Sequence, residues 1–198
     1  MQKRKFCFLA APKTGTTAIE SWGKEAKGVV FFSHYGRMKH VNYRTFVKLL
    51  DLYGMPHKEF ETCCILRHPF STAISWYNFR NRETSKIKKA PERFLGNTSL
   101  EQYLDSLIHK KTMIKKNLSM CRSFVLDENG DVGVNRIFKY ENFDSAVAYL
   151  QEKLRLDDFP MVKNVSPKIA STVDDDLKNR FFSAFREEID WYEALDSH

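Results

Sequence analysis

Apolar positions along the chain come in short runs, each followed by a polar turn and then by a stretch with helical period. Phe6 to Ala11 is continuously apolar and stops at Pro12-Lys13, the pattern of a short strand running into a tight loop. After it, from Thr16 to about Lys27, Ile19 and Trp22 stand three apart as on one face of a helix. A second run, Val29 to Ser33, leads through a polar loop, Tyr35 to Val41, into Phe46, Leu49, Leu50 and Tyr53 at helical spacing. A third, Thr62 to Leu66, ends at Arg67-His68-Pro69, and Phe70, Ala73, Ile74 and Tyr77 follow with the same period. Three strand-then-helix units in succession predict an α/β fold with a central, mainly parallel sheet flanked by helices, because parallel neighbours need a crossover connection.

The remainder adds fewer elements. Ser123 to Leu126, Asp-Glu-Asn129-Gly130 and Val132 to Phe138 read as a hairpin around a tight turn. Helices are expected over Phe143 to Leu154 and Asp174 to Leu195; the second carries Leu177, Phe181, Phe185, Ile189 and Tyr192 in period, with Asp174 to Asp176 at its N-terminal dipole. Residues 81–97 lack a sustained apolar period and are rich in cations (Arg82, Lys86, Lys88, Lys89, Arg93), which reads as a mobile lid or substrate-facing loop. With no internal repeat and no long Pro/Gly/Ser linker, residues 1–198 read as one domain.

Charge narrows the partners only slightly. Lys and Arg number 32 against 25 Asp and Glu, and the net charge of +7 suits an anionic ligand but is too small for a protein that coats nucleic acid. Cys7, Cys63, Cys64 and Cys121 show no zinc-ligand spacing, so reduced structural thiols in a cytoplasmic protein are expected. No run approaches the roughly 18 to 20 apolar residues of a membrane span.

Chemistry concentrates where the first strand meets the first helix. Ala-Pro-Lys13-Thr14-Gly15-Thr16-Thr17 puts a lysine, a glycine and three hydroxyls at a turn where helix N–H groups lack partners, the setting that binds phosphate or sulfate. An ATP loop of the Gly-x-x-x-x-Gly-Lys-Ser/Thr type has its lysine after the glycines; here Lys13 precedes Gly15, and no earlier glycine exists. Read alone, the same residues also suit a ligand-free turn with a capping threonine.

Pro12-Lys-Thr-Gly-Thr-Thr17 resembles the 5′-phosphosulfate loop of sulfotransferases that use PAPS (3′-phosphoadenosine 5′-phosphosulfate), with Lys39-His40 similar to the carbohydrate and bacterial branch. Cys63-Cys-Ile-Leu-Arg67-His-Pro-Phe-Ser-Thr-Ala-Ile-Ser75 resembles the family's 3′-phosphate element, and the likeness runs over nearly the whole chain. The resemblance implies a P-loop-like three-layer fold. It gives the 5′ end of PAPS to Lys13, Thr14, Gly15, Thr16 and Thr17, and the 3′-phosphate to Arg67 and Ser75. Asn164, Ser166 and Lys168, in Asn-Val-Ser-Pro-Lys, fit the phosphate or adenine side, though an exposed loop reads the same way. The segment Ile137-Phe-Lys-Tyr140-Glu141-Asn-Phe143 is also family-like, while Tyr-Glu-Asn suits a helix N-terminus equally well.

The implied reaction is in-line displacement at sulfur, with PAP leaving and no metal required. His40 is expected to accept the acceptor hydroxyl's proton, and Lys13 to offset charge growing on the bridging oxygen. His34 is the rival base; motif position favours His40. Lys39, His34 and Arg82 are expected to face the acceptor, whose hydroxyl the branch places on a carbohydrate, an acidic saccharide suiting the basic loop. A small-molecule P-loop kinase, which would need Mg-ATP, and a non-catalytic module binding PAP or another polyanion are the alternatives.

Overall fold

The computed structural model describes residues 5–23, 26, 30–31, 40–81, 95–109, 120–156, 159 and 173–195. His34, Lys39, Arg82, Asn164, Ser166 and Lys168 lie outside them, as does all but the two ends of the basic 81–97 segment. The chain groups into two compact units. The first draws on Met1–Arg67, Cys121–Asn164 and Leu195–His198, the second on His68–Met120 and Val165–Ala194.

The first unit holds the sheet. β1 (Phe6–Leu9), β2 (Val30–Phe31), β3 (Glu61–Leu66) and β4 (Arg136–Lys139) lie in the order β2-β1-β3-β4. All three strand pairings are parallel, with Cys7 opposite Val30, Phe6 opposite Glu61 and Cys63 opposite Arg136. Every residue of β1 is buried, which is why its sequence shows no alternation: both faces are covered. On one face Phe6, Phe8, Cys63, Ile65 and Phe138 pack against Ile19 and Trp22 of α1 (Thr16–Gly23) and against Ala146, Leu150 and Leu154 from the helix Phe143–Leu154. Burying side chains of this size stabilises by about 1.5–3 kcal/mol each. Thr62, almost fully buried within β3, exchanges hydrogen bonds with Asn135: Thr62 N and Oγ1 both reach Asn135 Oδ1 at 2.8 Å, and Asn135 N reaches Thr62 Oγ1 at 3.1 Å. This polar clasp sets the start of β4 against β3.

The helix α2 (Tyr43–Leu52) begins where Asn42 Oδ1 accepts from Thr45 N at 2.9 Å, an N-cap. Phe46 and Leu50 are buried; Tyr53, expected on the same face, lies past the helix end and is 75% exposed.

The second unit is helical. α3 (Pro69–Arg80) starts with proline in the first turn, where a missing N–H costs nothing, and His68 Nδ1 accepts from Phe70 N at 3.2 Å. α4 (Leu100–Ile108) opens on a reciprocal capping box between Ser99 and Gln102. Next in the chain come the four-residue turn α5 (Met120–Ser123) and, in the first unit, α6 (Phe143–Leu154); α7 (Asp175–Ala184) and α8 (Arg186–Glu193) complete the second. Ala73 and Tyr77 of α3, Leu100, Tyr103, Leu104 and Leu107 of α4, and Leu177, Phe181, Phe185 and Ile189 form this unit's core.

Two further expectations need correction, and one helix was not foreseen. The hairpin is reduced to one antiparallel bridge, Leu126 to Val132, around a turn in which Gly130 (φ 90°) alone takes a positive φ; Ser123 belongs to α5, and Arg136–Lys139 pairs in parallel with β3 instead. The helix expected over Asp174 to Leu195 is two, parted at Phe185 (φ −118°, ψ 24°), whose N–H still bonds Phe181 O at 3.0 Å. Leu100–Ile108 is helical although no apolar run called attention to it.

Candidate functional site

At the end of β1 the chain turns sharply: Ala11 N donates to Leu9 O at 3.1 Å, and Thr14 Oγ1 to Ala11 O at 2.8 Å. Thr14 is 1% exposed, so its hydroxyl proton shapes the turn rather than pointing outward. Lys13 (φ 68°) and Gly15 (φ 75°) both adopt the left-handed region. Gly15 does so without strain, but a lysine there is disfavoured by about 1–2 kcal/mol. Backbone held in such a conformation presents successive N–H groups to one side, a concavity suited to an anion. Gly15 O then accepts from Ala18 N at 3.0 Å and Ile19 N at 3.4 Å, which starts α1 and leaves the N–H groups of Thr16 and Thr17 in its first turn, outside the intrahelical ladder. Thr16 is buried and Thr17 exposed.

Arg67 follows the last residue of β3, which pairs beside β1, so it comes off the same carboxyl edge of the sheet as the loop. Its Nη1 donates to Lys13 O at 3.4 Å, and its guanidinium lies over the Tyr140 ring, 4.6 Å from the centroid. Cys121 Sγ donates to Arg67 O at 3.5 Å. Ligands of open parallel sheets collect at this edge.

His40 reaches the same place from the start of the segment leading to α2. Its Nδ1 lies 2.7 Å from Ala10 O, the residue between β1 and the loop. A carbonyl oxygen can only accept, so Nδ1 carries the hydrogen. In the neutral ring the lone pair is therefore on Nε2, the arrangement of a base whose orientation the backbone fixes.

The first unit thus brings together Lys13 to Thr17, Arg67 and His40. Ser75 is a buried residue of α3, in the second unit. Tyr140-Glu-Asn forms a 3-10 turn leading into α6, so it is indeed the entry to a helix, but Tyr140 also touches Arg67. Phe181 and Phe185 are core residues of the second unit. All four cysteines are buried free thiols; burial pushes the Cys7, Cys63 and Cys64 thiols above their ordinary range. Among the described residues no group of three or more His, Cys, Asp or Glu is placed to hold a metal ion, and no helix is long and apolar enough to cross a membrane.

The fold is shared with a protein of known structure, a sulfotransferase from Alicyclobacillus acidocaldarius: the two superpose with a TM-score of 0.50 over 98% of this chain and 96% of that one, at 15% sequence identity. At that identity the likeness defines the fold, a sulfotransferase-like P-loop architecture. No protein-family model and no curated protein matches the chain.

Proposed function

We propose that the chain is a sulfotransferase that moves the sulfuryl group of PAPS to an acceptor hydroxyl. The observation that carries this reading is the convergence of an anion-type loop, an arginine and a histidine of defined tautomer on one sheet edge. PAPS carries phosphates at both ends, and this edge offers a match for each. The Lys13 to Thr17 loop would hold the phosphosulfate and Arg67 the 3′-phosphate, its planar guanidinium suiting bidentate contact with phosphate oxygens. Ser75 keeps the phosphate-binding role that the resemblance gives it.

In the transfer, His40 Nε2 accepts the proton of the attacking hydroxyl, while the bond from sulfur to the bridging oxygen breaks and the new sulfur–oxygen bond forms. Lys13 and the N–H groups at the start of α1 offset the charge that develops on the leaving PAP. As in phosphoryl transfer, alignment and charge stabilisation supply most of the acceleration. The acceptor is a sugar hydroxyl in this reading, with Lys39, His34 and the cations of 81–97 on its side.

Thermal-shift measurements with PAP and with Mg-ATP test the donor. Stabilisation by PAP is the expected result, and stabilisation by Mg-ATP alone would establish the kinase reading instead.

A further inference from the structure

Gly133, in the stretch between α5 and β4, takes no positive φ, so its backbone is one that other residues adopt. What its missing side chain allows is a close approach: a methyl group there would overlap Cδ1 and Cε1 of the Tyr43 ring and stand 2.5 Å from Cζ. The same ring meets Phe46 with centroids 5.9 Å apart, and the fully buried Phe46 meets Phe60 edge-on. Tyr43 is the first residue of α2, and its N–H, which has no helical carbonyl to reach, donates to Phe124 O at 2.9 Å. Arg44, next in the chain, donates from Nε to Asp127 O at 2.6 Å. Within the stretch that receives these contacts, Gly133 N donates to Val125 O at 3.0 Å and Asp127 N to Asp131 O at 2.8 Å, so its two limbs are tied into a platform for the first turn of α2.

His40 stands three residues before Tyr43, with the buried Val41 and the cap residue Asn42 between them. Its Nδ1 meets Ala10 O at 2.7 Å, which sets the direction of the ring, but a rotatable side chain keeps such a bond only while its own backbone is held in place. We infer that Tyr43, Arg44 and Gly133 are positioning residues for His40: a ring seated on bare backbone, with two hydrogen bonds to main-chain carbonyls, fixes the first turn of α2 and so holds the imidazole against Ala10 O in the tautomer the transfer uses. Placement of this kind bears on rate, because moving a reacting group by about 1 Å costs up to about 10²-fold.

The inference rests on the reading of His40 as the base of sulfuryl transfer, and two readouts keep the two apart. Long-range proton–nitrogen NMR on the full chain reports the ring tautomer, the His40 signal being identified by its loss in His40→Ala. The wild type should show the Nδ1–H form. Gly133→Ala should replace it with the mixed pattern of an unseated imidazole and lower kcat about tenfold to a hundredfold, with PAP affinity close to wild type. Adding Tyr43→Ala, which removes all three ring atoms in the way, should bring back much of the Nδ1–H signal and of the rate. Should Gly133→Ala not fold, Arg44→Met serves: losing one hydrogen bond, it should weaken the Nδ1–H signal and lower kcat about fivefold, again with PAP affinity kept. A wild type without the Nδ1–H form overturns the inference, as does full retention of signal and rate in Gly133→Ala or in Arg44→Met. Equal falls in kcat and PAP affinity overturn it too, since the contacts would then only stabilise the fold, and so does a double variant no better than Gly133→Ala. A wild type that shows the tautomer, loses it in Gly133→Ala and yet transfers sulfuryl from PAPS to no acceptor overturns the proposed function, while the seating of His40 stands.

Discussion

The two ends of β3 handle charge in opposite ways. Glu61, its first residue, lies in a matched cluster: Lys153 Nζ donates to Glu61 Oε2 at 2.7 Å and Tyr149 Oη to Oε1 at 2.6 Å, while Lys5 pairs with Glu59 close by in sequence. Arg67, just past the last residue, is held by a backbone carbonyl and an aromatic face. The first arrangement pairs opposite charges and holds strand to helix; the second sets a guanidinium over an aromatic ring. About 20 Å of one strand separates them. At the carboxyl edge the proposed donor site meets this arginine; at the amino edge the ion pairs tie the strand to α6.

Substitutions at the two ends should therefore differ in kind. The largest effects belong to the carboxyl edge and to turnover. His40→Ala should lower kcat by about 10²- to 10⁴-fold while leaving PAP affinity close to wild type; steady-state rates beside calorimetry check this, and a full rate would remove the base assignment. Lys13→Ala should reduce turnover about 10²-fold or more and weaken PAP less than that, with an unchanged rate counting against charge stabilisation by this lysine.

Next comes the strain in the loop. Lys13→Gly and Lys13→Ala both lose the ammonium, but only glycine relieves the positive φ. Chemical denaturation should find the glycine variant more stable by about 1 kcal/mol, and equal stabilities would mean that the left-handed backbone is not strained in solution.

The smallest effect lies at the amino edge. Partial burial works upward on the Glu61 carboxyl, yet the hydrogen bonds from Lys153 and Tyr149 bring it below the ordinary carboxylate range. A lowered folded-state pKa contributes stability that is fully present above the ordinary value of about 4 and is lost as pH falls through the folded value. Melting curves should accordingly flatten on the acid side in Glu61→Gln, with turnover at neutral pH little changed. Identical acid profiles for variant and wild type would contradict the cluster's role.

How much of this could be read from residues alone depended on the range of the interaction. β1 and β3 announced themselves as apolar runs because both their faces are covered, and the sharp turn between β1 and α1 was legible from Pro12 and Gly15 between an apolar run and a helical period. Leu100–Ile108 was equally legible, through Ser99 and Gln102 at capping-box spacing, and went unread because its apolar residues form no conspicuous run. The break at Phe185 has neither glycine nor proline to signal it. Asn129-Gly130 suggested a hairpin because turn chemistry is local, whereas the pairing of Arg136–Lys139 with β3 joins segments some seventy residues apart. The same distance hid the contact of Tyr140 with Arg67, and no residue pattern marks Lys13 as left-handed.

The most direct test of the central claim is transfer itself: incubate the chain with sulfur-labelled PAPS and a panel of glycans, lipids and phenols, with His40→Ala in parallel. Label should appear on a sugar acceptor with the wild type and be lost in the variant, although PAP still binds. Tight PAP binding by the wild type with no label transferred to any hydroxyl would contradict it, and would make the carboxyl edge of the sheet a binding site without chemistry.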